Sequence, residues 1–510
     1  MFDVRIKLTL IIVTYGAVMP RSSPQPEAVP HHDVVIIGTG FAGLCMAIKL
    51  KEAGQNDFML IERGGDVGGT WRDNQYPGAA CDVPSHLYSF SFEPNTDWSR
   101  KYPTQPELFA YLRGVADKHG LRPNIRFNTH FEGAEFDSAN QRWTVRTSGG
   151  VFTARVVVSG SGGLAEPKLP EIAGVETFRG DTFHSSRWNH DIDLAGKRVA
   201  VIGTGASAIQ FVPEIAAKVG RLDVYQRTPN WIIPRPDRAY SGIEKTLFEK
   251  LPITRQIHRS VIYWGHEARV VGLVLNPAFM VLFQKIAERH IRKQVADPAL
   301  RAKVTPDYTI GCKRILISND WYPAISRDNV DVITDGIREI KAHSIVTADG
   351  TEREVDVLIF ATGFYATENP IADVIRGADG QTLADVWAEG EEAFLGVQVK
   401  RFPNLFFIVG PNSGLGHSSM VFMIEAQVRY ISEVLGLMRD REARSVDIRP
   451  EVQDQFNAGL QQRLGGSIWA TGCQSWYQHR SGKITALWPG FTWEYWLKTR
   501  RINPNHYLTA

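Results

Sequence analysis

Apolar residues in this chain fall in short unbroken runs that stop at glycine. Asp33-Val-Val-Ile-Ile-Gly38 has four consecutive apolar positions. That pattern predicts a strand buried on both faces, because a half-exposed strand would alternate. From Phe41 to Glu52 the apolar residues recur at helical spacing, and Phe58-Met-Leu-Ile-Glu62 predicts a second buried strand ending on an acid. The same succession returns at Arg198-Val-Ala-Val-Ile-Gly203, in a helix from Ala206 onward, and at Leu222-Asp-Val-Tyr-Gln-Arg227. The chain therefore reads as α/β, with two Rossmann-like dinucleotide-binding units.

The turns between strand and helix carry the glycines such units need. In the first unit these are Gly38, Gly40 and Gly43; in the second they are Gly203 and Gly205, with Ser207 opening the helix. A lone pattern of this kind is weak, and its place between strand and helix makes it strong. Glu62 stands 24 residues beyond the first glycine of its unit, and Arg227 stands 24 beyond that of the second. A carboxylate there accepts hydrogen bonds from a ribose 2′-hydroxyl and repels a 2′-phosphate. A guanidinium does the reverse. The first unit is expected to hold the adenosine of FAD, and the second to prefer NADPH.

Three further runs suggest interleaved domains. Val355-Asp-Val-Leu-Ile-Phe-Ala-Thr-Gly363 resembles the segment with which flavoproteins of two dinucleotide domains return from the NADPH domain to the FAD domain. Val156-Val-Val-Ser-Gly160 resembles its outbound counterpart, and Asn404-Leu-Phe-Phe-Ile-Val-Gly-Pro-Asn-Ser413 resembles the late strand that brings amides to the flavin. On this reading residues 31–162 and 361–510 form the FAD-binding domain, and 163–230 with 316–360 the NADPH-binding domain. Residues 231–315 form a helical insertion dotted with Lys and Arg. Its apolar stretch Val270 to Phe283, broken at Asn276-Pro277, reads as a packed helical lid rather than a membrane-surface helix.

Composition narrows the classes. At 510 residues the chain exceeds one ordinary core, and with 43% apolar and 22% charged residues it is globular. A net charge of +2 gives no case for nucleic acid. Cys45, Cys81, Cys312 and Cys473 are scattered without a Cys-x-x-Cys pair, which argues against a disulfide framework, a dithiol redox centre and a metal site. The apolar run Leu8 to Met19 is too short to span a bilayer and lacks a convincing cleavage site. Residues 1–30 read as a disordered tail or over-extended start, with Met19 as an alternative initiator. Dependence on NADPH points to the cytoplasm. Composition sets no oligomeric state.

Between the two units lies Phe178-Arg-Gly-Asp-Thr-Phe-His-Ser-Ser-Arg-Trp188. Its Phe178, Gly180, His184 and Trp188 resemble the fingerprint of Baeyer–Villiger monooxygenases, flavoproteins that turn ketones into esters with NADPH and oxygen. Gly68-Gly69-Thr70-Trp71, then Tyr76-Pro-Gly78 and Asp82, resembles the family's second signature, which implies flavin contacts for Gly69, Thr70, Trp71 and Asp82. Gly311-Cys-Lys-Arg314 resembles the segment with the active-site arginine. The resemblance implies that Arg314 stabilises a C4a-peroxyflavin and the adduct's oxyanion, and that Asp82 orients it. It also implies that Lys313 joins Arg227 and Thr228 around the NADPH phosphate, that Trp476 folds over NADP, and that His184 serves a hinge rather than proton transfer. The fingerprint usually ends Trp-Pro or Trp-Asp, whereas Asn189 follows here. The expected reaction inserts one atom of O2 beside the carbonyl of a small apolar ketone. The alternative is N- or S-oxidation, of a sulfide for example, which has less need of Arg314.

Overall fold

The computed structural model describes residues 29–367, 370–473 and 475–510; the apolar run at 8–19 and Met19 lie outside the described residues. Two parallel-centred sheets organise the rest. In the larger, His31–Ile37 lies between Phe58–Ile61 and Gly150–Ser159, with Val34 opposite Phe58 on one side and Val156 on the other. Ile125–Arg126 extends the sheet beyond Phe58–Ile61, and the antiparallel strands Arg142–Thr147 and Phe131–Asp137 extend the other side. Ile375–Arg376 and Leu405–Phe407 join from much later in the chain, the latter parallel to Gly150–Ser159. Val34, Val35 and Ile36 are fully buried, as the unbroken apolar run demands.

In the smaller sheet five parallel strands run in the order Val330–Ile333, Arg221–Tyr225, Arg198–Ile202, Val357–Phe360 and Asp181–His184. The chain thus leaves the larger sheet after Ser159, builds the smaller one, and returns after Phe360. The architecture is α/β with interleaved units, in which an antiparallel meander of Ile337–Lys341, Ser344–Thr347 and Glu352–Glu354 flanks the second sheet.

Helix Phe41–Glu52 is buried over most of its circumference because it is wedged between the first sheet and helix Met420–Asp440. The insertion is helical, as its spacing implies: Gly242–Lys250, Pro252–Glu267 and Met280–Gln294, with a bend of 119° at Asn276. Its inner side packs as a lid should, burying Ile262, Val270, Leu273 and Met280. Its outer side does not: Ile253, Ile257, Val261 and Trp264 are exposed. The lid reading therefore accounts for one face only.

One expectation is overturned. Cys312 and Cys473 form a disulfide, with Cα atoms 6.2 Å apart and 161 residues between them in sequence. Spacing rules see only cysteines close in sequence, and this pair is made by tertiary approach of two loops. Cys45 and Cys81 remain free and buried.

Candidate active site

The first glycine turn is shaped by close contact. Gly38 has φ 93°, and a Cβ on Gly43 would stand 1.9 Å from the Gly38 carbonyl oxygen, so the helix packs onto the turn only if that residue is glycine. Gly40 caps the helix without any side-chain hydrogen bond, and no acid occupies the first turn, which leaves its amides free for an anion. Gly69 (φ 51°) approaches Gly40 so closely that its Cβ would lie 3.0 Å from the Gly40 Cα. The two glycines expected at the flavin are thus one surface. Thr70 and Trp71 open the short helix Thr70–Asp73, and Trp71 donates from Nε1 to the Tyr88 hydroxyl at 3.3 Å.

Glu62 ends its strand buried, where it accepts from the Thr39 amide (3.1 Å), the Thr39 hydroxyl (2.6 Å) and the Gly64 amide (2.7 Å). Arg72 pairs with its other side at 2.6 Å. A carboxylate has about four acceptor positions, so a ribose hydroxyl at Glu62 requires one donor to move. Arg72, on a long side chain, is the one that can.

The second turn repeats the design. Gly203 has φ 109° and its Cβ would meet the Ala361 carbonyl at 2.4 Å, whereas nothing lies within 4 Å of a Cβ on Gly205. The helix Ala208–Ala216 starts at Ser207 with no side-chain cap and no acid in its first turn. Arg227 is exposed and Thr228, next to it, is half-buried. Lys313 sits over the Tyr308 ring at 4.8 Å. Burial and the Arg227 charge both hold the Lys313 ammonium below its usual range, and Asp307 does not offset them. Two cations converge here without enough acid, the electrostatics of a phosphate site.

Arg314 and Asp82, 232 residues apart, form an ion pair: Nε donates to Oδ2 at 3.2 Å and Nη2 donates to the same oxygen. Their side chains are 35% and 29% exposed although packed among many atoms, so solvent or a ligand can reach the pair. The Asp82 charge, against the opposing effect of burial, drives the Arg314 pKa far up. Burial would raise Asp82, but the Arg314 charge and hydrogen bond outweigh it, so the carboxyl is held below its usual range; Arg235 adds to this. Both partners are therefore ionised at any working pH. Arg314 is held in place because Trp231 donates to the Tyr308 carbonyl at 2.7 Å and strand Leu316–Ile317 pairs with Ile232–Ile233.

The spacer lies at the edge of the second sheet, beside the strand on which the chain returns. Asp181–His184 is the edge strand of the second sheet, with His184 opposite Phe360, the last residue before the chain returns. A Cβ on Gly180 would meet the Asp356 carbonyl at 2.3 Å, and Phe178 packs beside Ile340 and Phe360. His184 is buried, accepts from the Ser186 amide at 3.2 Å and packs against Phe364. Burial lowers its pKa to about 4, only partly offset by the Gly363 backbone, so it stays neutral. Trp188 packs between Phe183 and Phe211. Asn189 accepts from the Asp191 amide at 3.0 Å, a turn that an aspartate would make equally.

A sequence-family model described as pyridine nucleotide-disulphide oxidoreductase matches residues 35–258. A Baeyer–Villiger monooxygenase of Pseudomonas aeruginosa is 50% identical over 95% of this chain and 93% of its own. The chain belongs to the Baeyer–Villiger monooxygenase family. A solved structure of OTEMO in complex with FAD and NADP superposes with a TM-score of 0.85 at 28% identity, over 94% of this chain and all of that one. A cyclohexanone monooxygenase with bound ε-caprolactone superposes with a TM-score of 0.83 at 27% identity, over 94% and 100%.

In this Baeyer–Villiger monooxygenase the aromatic ring that couples to Arg314 is Tyr477, the neighbour of Trp476. Tyr477 is buried, and burial raises its hydroxyl pKa to about 12 against the opposing Arg314 charge. Trp476 is 44% exposed and packs on Tyr477 at 4.4 Å between ring centroids. Trp469 and Trp488 are core. Arg235, whose charge acts on Asp82, also went unnoticed in the sequence, since nothing marks it out among the 57 basic residues. Tyr477 was legible in principle, as the neighbour of Trp476 in Ser475-Trp-Tyr477.

Proposed function

We propose that the enzyme uses FAD, NADPH and O2 to insert one oxygen atom beside the carbonyl of a small apolar ketone, giving an ester or lactone with NADP and water. The observation that carries this reading is the partly exposed Arg314–Asp82 pair. The two uncapped helix N-termini fit two pyrophosphates, the Gly40–Gly69 contact leaves a backbone surface for the flavin, and the Arg227–Lys313 pair fits a 2′-phosphate. Bound there, flavin reduced by NADPH supplies the activated oxygen.

The protein's own part is electrostatic. Asp82 takes Nε and Nη2 of Arg314 on a single oxygen, which leaves Nη1 without a hydrogen bond among the described residues. That N–H and its permanent charge are available to stabilise negative charge developing on the ketone oxygen. Arg235, itself paired with Asp237 at 3.6 Å, adds a second positive charge that acts on Asp82. Tyr477 stays protonated at any working pH and closes the wall against water. Solved relatives carrying FAD and NADP, and one carrying a lactone, support the reading. NADPH supply places the enzyme in the cytoplasm.

The test is incubation with NADPH, labelled oxygen and a panel of ketones and sulfides, with products weighed. Label in an ester is the expected result; label only in sulfoxides overturns it in favour of heteroatom oxidation. Arg314→Ala should lower ester formation by about a hundredfold or more, and ester formation at the original rate would refute the role of Arg314.

A further inference from the structure

Of the twenty-one large apolar side chains exposed among the described residues, thirteen lie between residues 243 and 286. Scattered apolar residues on a surface are normal, but a concentration like this marks a contact face. On helix Pro252–Glu267 the exposed row is Ile253, Ile257, Val261 and Trp264, spaced by one helical turn each and 58% to 67% exposed. Across the bend the row continues from Leu275 to Phe279 and Leu282, each 60% exposed or more. The opposite side of the same helices is already used, packed on the protein through Ile262, Val270 and Met280. The outer row has no intramolecular partner among the described residues.

Charge decides what covers it. Residues 242–294 carry nine Lys and Arg against four Asp and Glu, and Glu267 is buried against His417, while the whole chain is only +2. The remainder of the molecule is therefore net acidic, and the excess of basic charge lies in this stretch, although Arg259 turns inward to the His86 and Ser89 carbonyls. Lys250, Lys285, Arg289 and Lys293 make no ion pair among the described residues. A second copy docked on this face would set basic against basic, which like-charge repulsion disfavours. An anionic lipid surface matches both features, with apolar side chains entering the acyl boundary and Lys and Arg meeting phosphates. Trp264 and Phe279 are suited to that boundary. No single described helix is long and apolar enough to cross a bilayer, and the 119° bend suits helices lying on one.

We infer that the outer face of the helical insertion docks this enzyme onto the surface of an anionic bilayer. Apolar ketones concentrate in such a membrane, so docking brings the enzyme to its substrate pool. This inference stands on the insertion alone and does not depend on the reaction assigned above.

Full-length, flavin-loaded enzyme is sedimented with phosphatidylcholine vesicles with and without phosphatidylglycerol. The expected result is binding only to the anionic vesicles, weakened by salt. Ile257→Glu with Trp264→Glu, and separately Arg289→Glu with Lys293→Glu, should each weaken it by about tenfold or more. Flavin content and NADPH oxidation with a water-soluble ketone should stay unchanged in both variants, because none of these residues lies in the active site. No phosphatidylglycerol-dependent sedimentation overturns the inference. So does binding that persists in both variants, which would place the contact elsewhere on the chain. A dimer broken by Ile257→Glu, without vesicle binding, overturns it in favour of a second copy.

Discussion

Arg227 just before the insertion and Lys313 near its end converge on one spot, where the Arg227 charge raises the cost of the Lys313 charge. A bound phosphate removes that cost, and this is why the pair discriminates between cofactors rather than merely attracting them. Arg227→Ala is expected to raise the KM for NADPH by about ten- to a hundredfold and leave the KM for NADH nearly unchanged. Steady-state kinetics with the two cofactors check it; equal losses for both would assign Arg227 to the fold. A second residue acts on stability. Asp447 has Oδ1 buried without a partner, and burial raises its pKa to about 7, only partly offset by the Arg401 amide. The folded chain thus holds this proton more tightly than the unfolded chain, whose carboxyl titrates near 3.8. The associated stability is complete below about pH 4 and is lost as pH rises through 7. Asp447→Asn should therefore stabilise the protein by about 2 kcal/mol at pH 8 and by much less at pH 5, as read from melts at the two values.

At the scale of the element, the two glycine turns look alike in sequence and differ in what they tolerate. Gly43→Ala forces a Cβ onto the Gly38 carbonyl, backbone against backbone, and should cost about 1–3 kcal/mol along with the bound flavin. Gly205→Ala meets nothing within 4 Å and should keep both fold and flavin while weakening NADPH binding. Flavin absorbance after desalting, together with a thermal melt, separates the two outcomes. Elements of this kind were legible because their information is local. Glu62 and Arg227 could be assigned by counting along one unit, and Gly38 and Gly203 by the strand each terminates. The insertion was legible as helix but not as surface, since helical spacing shows that a side is apolar without showing whether another element covers it. Both sides of Pro252–Glu267 carry large apolar residues, and only the fold shows that Ile262 is inside and Val261 outside.

Across the whole molecule, contacts between distant segments define the site, and these were the least legible. Asp82 and Arg314 were joined by resemblance; no periodicity links residues 232 apart. Cys312 and Cys473 were missed for the same reason. Their bond ties the Arg314 loop to the segment just before Trp476 and Tyr477. Cys312→Ser should lower stability by about 2–4 kcal/mol. A reductant should bring the wild-type melting temperature down to that of the variant and leave the variant unmoved. Cys312 is almost wholly buried, which slows attack on the bond by thiols while the protein stays folded.

Leu405–Phe407 pairs with Val157–Ser159, a strand made far earlier on the ribosome. Until the later strand emerges, the earlier one presents an unpaired apolar edge in the middle of the first sheet. At ordinary rates of translation that interval lasts roughly ten to fifty seconds. Domain-by-domain folding during synthesis is thereby closed to the first unit, which must wait, exposed, for the second to be built. Yield in recombinant expression should then follow how well this nascent edge is shielded by chaperones, more than it follows the stability of the finished enzyme.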